Sequence, residues 1–100
     1  MISITKISGD SMSPEYCDGD YVFSLNSSLI PTSLLSSKRD YIIEHDRIGA
    51  MIKRFAGRDP LEKERFLFKG LNEKSISQKE IGSLPRKAIK SLVIYKVSKG

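Results

Sequence analysis

The chain has one cysteine, Cys17, and one histidine, His45. A single cysteine excludes an intrachain disulfide and suits a reducing compartment. A protein metal centre normally takes three or four ligands, so Cys17 and His45 cannot make a Cys/His centre alone. The simpler readings are a loop residue for Cys17 and a polar strand residue for His45. No run of about 18 apolar residues is present to cross a bilayer as a helix. The first residues, Met1-Ile2-Ser3-Ile4-Thr5-Lys6, lack the basic and apolar regions of a secretory signal. The expectation is therefore a cytoplasmic or soluble chain with no membrane span, and membrane association stays open if the chain is a domain trimmed from a longer, anchored protein. Helical periodicity is scarce as well, which excludes a helix bundle.

What is present fits one small domain over residues 1–100. A hydrophobic share of 39% and a charged share of 29% separate this composition from that of a disordered chain. Charge is unevenly placed. Residues 1–84 hold 12 basic and 12 acidic side chains, so the net +5 resides in Arg86, Lys87, Lys90, Lys96 and Lys99. Such a tail is most simply a solvated face, and secondarily a patch for phosphates or anionic headgroups.

Short runs of β-branched and aromatic residues recur between turn signals. Ile2–Ser8, Tyr21–Leu25, Tyr41–Glu44, Ile48–Phe55, Arg65–Lys69 and Ser91–Val97 read as strands, with a hairpin turn around Asp46. Two stretches read as irregular: the Ser-rich segment Asn26–Lys38, either a connector or a lid, and the turn Gly57-Arg58-Asp59-Pro60. The fold class that follows is mostly β, a small, coiled, partly barrel-like domain.

Chemistry concentrates in two blocks. Gly9-Asp10-Ser11-Met12-Ser13-Pro14 places a serine on a glycine-led turn, followed by Gly19-Asp20-Tyr21-Val22. Glycine tolerates backbone angles that present successive amides outward, as an oxyanion hole requires. Later, Met51-Ile52-Lys53-Arg54-Phe55 places a lysine on an apolar strand. Alternation sends Met51, Lys53 and Phe55 to one face and Ile52 and Arg54 to the other. Burial penalises the ammonium form, so Lys53 can become a neutral base able to take the proton of Ser11. Arg54 could not, because a guanidinium stays protonated.

These blocks, in this order, resemble the serine/lysine peptidase superfamily that includes type I signal peptidases and the self-cleaving LexA-like repressors. A weaker third block runs from Lys69-Gly70-Leu71-Asn72 to Ile81-Gly82-Ser83-Leu84-Pro85. The resemblance implies a serine endopeptidase with Ser11 as nucleophile, Lys53 as base and no metal or organic cofactor. It also implies an oxyanion hole from the amides of Asp10 and Ser11, and Met12 packed beside the nucleophile. Where signal peptidases often carry a hydroxyl two residues before the nucleophile, this chain has Gly9, which favours the backbone version. Leu71 departs from the family's Gly-Asp-Asn, and either Ser75 or Ser77 could orient the Lys53 amine.

The resemblance implies a protein or peptide substrate with small residues beside the scissile bond. Two other readings stand beside it. One is the regulatory domain of a LexA-like repressor, which forms a homodimer and meets nucleic acid only when fused to a DNA-binding domain. Self-cleavage needs a target segment upstream, and only ten residues precede Ser11. The other is a non-catalytic module that binds through its basic tail.

Overall fold

A computed structural model of the chain describes residues 2–7, 15–62, 64–70 and 81–98. It is mostly β. Seven strands, β1 (Ile2–Lys6), β2 (Tyr21–Asn26), β3 (Asp40–His45), β4 (Gly49–Arg58), β5 (Arg65–Lys69), β6 (Leu84–Pro85) and β7 (Ile89–Val97), form one sheet in the order β1-β2-β7-β3-β4-β5-β6. All described pairings are antiparallel. No pairing among the described residues joins β1 to β6, so the sheet is open where the sequence suggested a partly barrel-like closure.

The six expected strands are all present. β6 was not anticipated, because two residues, one of them a proline, carry no periodicity. The segment expected to turn at Gly57 instead continues β4 to Arg58. A bulge between Phe55 and Gly57 absorbs the extra residue, with Gly57 at φ 121°, an angle that side-chain-bearing residues rarely adopt.

The turn expected around Asp46 joins β3 to β4 through Asp46, Arg47 and Ile48, with Gly49 at φ 95°. A three-residue hairpin loop calls for such an angle. His45 holds this turn from inside. Its Nδ1 accepts from the amides of Arg47 (3.1 Å) and Ile48 (3.3 Å), which leaves Nε2 to donate to the carbonyl of Ile81 at 3.1 Å. The polar-strand reading of His45 is thus what the fold uses.

The Asn26–Lys38 segment is built as two single-turn 3-10 helices, Ser27–Leu29 and Thr32–Leu34. Arg86 pins it, with Nη2 donating to the carbonyls of Ser27 (3.0 Å) and Ile30 (2.8 Å) and Nε to Thr32 Oγ1 (3.2 Å). Its role here is that of a fastened connector. Arg86, expected among solvated tail cations, is spent on this fastening.

Two apolar clusters cover opposite faces of the sheet. Tyr41, Ile43, Phe55, Phe66, Phe68 and Ile89 lead the larger one, in which Tyr41, Phe55 and Phe68 meet edge to face. The smaller joins Ile7, Tyr16, Val22 and Val93, with Ile42 and Ile52 against them. Strand alternation explains the division: Tyr41 and Ile43 face one way, Ile42 the other. β7 lies between β2 and β3, so the β1–β2 hairpin and the β3–β6 half share their main-chain pairing through it.

Candidate functional site

Lys53 is the most unusual side chain of the described core. It is 1% exposed, in the company of fully buried Tyr41 and Phe68. β4 alternates as expected: Lys53 pairs with Tyr41 across the β3–β4 ladder and shares its face with Met51 and Phe55, while Ile52 and Arg54 point oppositely. Burial holds the amine below its ordinary value of 10.5. An amine in this position is displaced toward its neutral, proton-accepting form.

Arg54 takes the opposite face, as alternation requires, but it is not simply solvated there. Its Nε donates to Asp40 Oδ1 at 2.8 Å and its Nη2 to Asp40 Oδ2 at 3.2 Å, a two-pronged pair between partners already opposed in register. That hydrogen bond raises the guanidinium further above its ordinary value. Tyr16 Oη donates to the same carboxylate, reaching Oδ2 at 2.6 Å. Burial first, then the bond to Asp40, pushes the phenol well above its ordinary range. Sequence reasoning missed this Tyr16–Asp40–Arg54 bridge, whose members lie 14 and 24 positions apart.

The bridge bears on the site through its position. Asp40 begins β3, Lys69 ends β5, and both pair with Arg54. This row is therefore where β3 and β5 overlap along the middle of β4, β3 lying toward Gly49 and β5 toward Arg58, and Lys53 stands one residue from it. Residues 8–14, which carry Ser11, are followed by Glu15 and Tyr16, and Tyr16 is bonded to Asp40 in this row. Lys96 Nζ donates to the Glu15 carbonyl at 2.7 Å. Residues 71–80, which carry Ser75 and Ser77, follow Gly70, next to the Lys69 that pairs with Arg54 in this row. On the N-terminal side, the Ile7 amide donates to the Asp20 carbonyl (2.7 Å), and the Ile7 carbonyl accepts from the Gly19 amide (2.9 Å). Ile7 and Tyr16 pack with Ile52, on the face opposite to the Lys53 side chain.

Asp10, Ser11, Met12, Ser75 and Ser77 lie outside the described residues, so Lys53 is the one expected site residue the structure describes. The second motif block gains a local account. Gly19 takes φ 91°, and buried Asp20 accepts from the Cys17 amide at 2.9 Å through Oδ2. Tyr21 and Val22 then open β2. Gly19-Asp20 is thus a turn that lays β2 beside β1 and fastens the stem from which residues 8–14 depart.

At the hairpin end lies a cleft of about 660 Å³, lined in part by Arg47, Arg65, Lys87 and Lys90, with Glu44 and Asp46 among them. Lys90 lies 3.8 Å from Glu44, and Arg65 donates to the Ser83 carbonyl and hydroxyl. Two of these four cations, Arg65 and Lys90, are therefore locally engaged. Among the described residues no helix is long and apolar enough to cross a membrane, and no group of three or more His, Cys, Asp or Glu side chains could hold a metal ion. Comparison of the chain with protein-family models, with curated proteins and with solved structures gives no match.

Proposed function

We propose that this chain is a serine endopeptidase with Ser11 as nucleophile and Lys53 as general base. The observation that carries the reading is a lysine buried to 1% exposure on an apolar strand, with its amine displaced toward neutrality. A charged ammonium is costly there, and a fold rarely keeps one unless it has a use.

In this reading the neutral amine takes the Ser11 proton as the serine oxygen attacks the carbonyl carbon of a peptide bond. The amides of Asp10 and Ser11 receive the negative oxygen of the tetrahedral intermediate. The protonated amine then gives its proton to the leaving nitrogen, and the acyl ester on Ser11 remains. A water deprotonated by Lys53 cleaves that ester and restores the hydroxyl. Met12 would shape the pocket beside the nucleophile, and Ser75 or Ser77 would orient the amine. The substrate backbone would lie extended along a strand edge.

The test is proteolysis of peptide libraries, and of the intact chain, by wild type, Ser11→Ala and Lys53→Ala, read by mass spectrometry over a range of pH. The expected result is cleavage by wild type alone. Its rate should rise with pH as Lys53 loses its proton, at a lower pH than an exposed lysine would need. Cleavage that survives in either variant, or a rate flat across neutral to alkaline pH, would overturn the dyad. Products from its own chain would move the reading to a LexA-like regulatory domain. Salt-sensitive binding to nucleic acid without hydrolysis would favour the binding module.

A further inference from the structure

The β1–β2–β7 part of the sheet has one face on the smaller core and, among the described residues, one face that stands largely exposed. An antiparallel sheet ordinarily turns polar side chains to water on such a face. Here the register gives rows of the opposite character: Ile4 beside Phe23 beside Tyr95, and Lys6 beside Tyr21 beside Val97. Ile2, Ile4, Tyr21, Tyr95 and Val97 are each between 41% and 65% exposed. Phe23 and Tyr95 stand edge to face, 6.2 Å between centroids, so the rows already form a packed surface. Lys6, at one corner, is the single charged side chain in these rows. A contiguous apolar patch of this kind marks an interaction surface.

We propose that this face is a homodimer interface, on which two copies of the chain pack sheet against sheet.

Three features select a second copy as the occupant. First, the patch is three strands wide, about 10 Å across at the usual strand spacing, whereas a bound extended peptide covers one strand's width. A matching sheet face covers it whole, in the manner of an aligned sandwich. Second, the five exposed side chains offer on the order of 500 Å² per copy, given that a fully buried aromatic contributes about 150–250 Å². Doubling that reaches the roughly 1,000 Å² at which specific interfaces begin, before any rim contacts are added. Third, a lipid occupant fits poorly. All of β1 is at least partly exposed, and no strand among the described residues pairs with its outer edge. Sinking Ile2 and Ile4 into hydrocarbon would carry that edge's amides and carbonyls out of water without partners. Face-to-face packing leaves the edge at a wet rim. The inference stands independently of the peptidase reading.

Sedimentation velocity over protein concentrations from about 1 to 500 μM tests it. The expected result is a mass rising from 11.2 kDa toward twice that value as concentration increases. Ile4→Glu and Tyr95→Glu, which alter exposed side chains, should weaken association at least tenfold. Leu61→Glu, at a residue 91% exposed and outside the patch, should leave it unchanged. In wild type, NMR signals of the Ile4 methyls and the Tyr95 ring should move with concentration while those of Leu61 stay fixed, a reading that needs no variant to fold. A wild type monomeric throughout would overturn the proposal, as would a dimer indifferent to both glutamates. So would a monomer that floats with phosphatidylglycerol vesicles through the same face.

Discussion

Replacing Lys53 by methionine separates what this lysine does for the fold from what it is proposed to do for catalysis. Methionine keeps the length and packing of the stem among Tyr41, Met51 and Phe55 and removes the amine. The amine occupies a position 1% exposed, and burial lowers its pKa. Each unit of that lowering places a penalty of about 1.4 kcal/mol on the charged form in the fold, and Lys53→Met has no such penalty. In a domain of this length each kcal/mol corresponds to about 4–8 °C in Tm. The difference between the two proteins must therefore depend on pH. Because burial lowers the Lys53 pKa in the fold, there is an interval below 10.5 in which the unfolded chain holds a proton that the folded chain has released. Stability of the wild type rises with pH through that interval, and the variant lacks this rise. The raised Tyr16 value acts in the opposite sense above its ordinary 10.0, but equally in both proteins. Thermal melts of the pair at intervals from pH 7 to 10 measure the difference. A gap between the two that stays constant across the range, or that moves in favour of the variant as pH rises, would refute the reasoning. Peptide cleavage should be absent from the variant at every pH.

Other perturbations follow from individual contacts. Tyr16→Phe removes a 2.6 Å bond to a buried carboxylate and should cost about 1.5–3 kcal/mol in urea unfolding; a change below about 0.5 kcal/mol would mean the bond is not made in solution. Arg86→Lys cannot reproduce a planar fork that reaches the Ser27 and Ile30 carbonyls together with Thr32, so cleavage by an added protease within 27–35 should accelerate several-fold, and an unchanged rate would count against the pin. Ser24 Oγ is buried and finds no hydrogen-bond partner among the described residues. Ser24→Ala should accordingly leave stability equal or raise it by about 1 kcal/mol in urea unfolding, and a loss would reveal a partner.

The strands were legible because each rests on local alternation, and alternation is a property of neighbouring residues. The same rule placed Lys53 inside and Arg54 on the other face without any coordinates. What could not be read were relations between strands. The Tyr16–Asp40–Arg54 bridge needs the β3–β4 register and the path of the chain after residue 14, and neither is written in a local pattern. Gly57 misled for a related reason: a glycine with positive φ serves a turn or a bulge equally well, and only the pairing of β4 with β5 distinguishes them. Arg86 looked like one of several tail cations because the carbonyls it reaches lie more than 50 positions earlier. The apolar outer face of β1–β2–β7 escaped notice because each strand alone looks amphipathic. Only the register shows that Ile4, Phe23 and Tyr95 share one side.

The place of β7 has a consequence for synthesis on the ribosome. Translation delivers β1 and β2 first and β3 to β6 next, yet the strand that stitches these halves together is the last of the seven to emerge. A nascent chain can close its hairpins early, and Tyr16 can reach Asp40, but the main-chain ladder between the two parts waits for β7, so the sheet becomes continuous only once all seven strands are present.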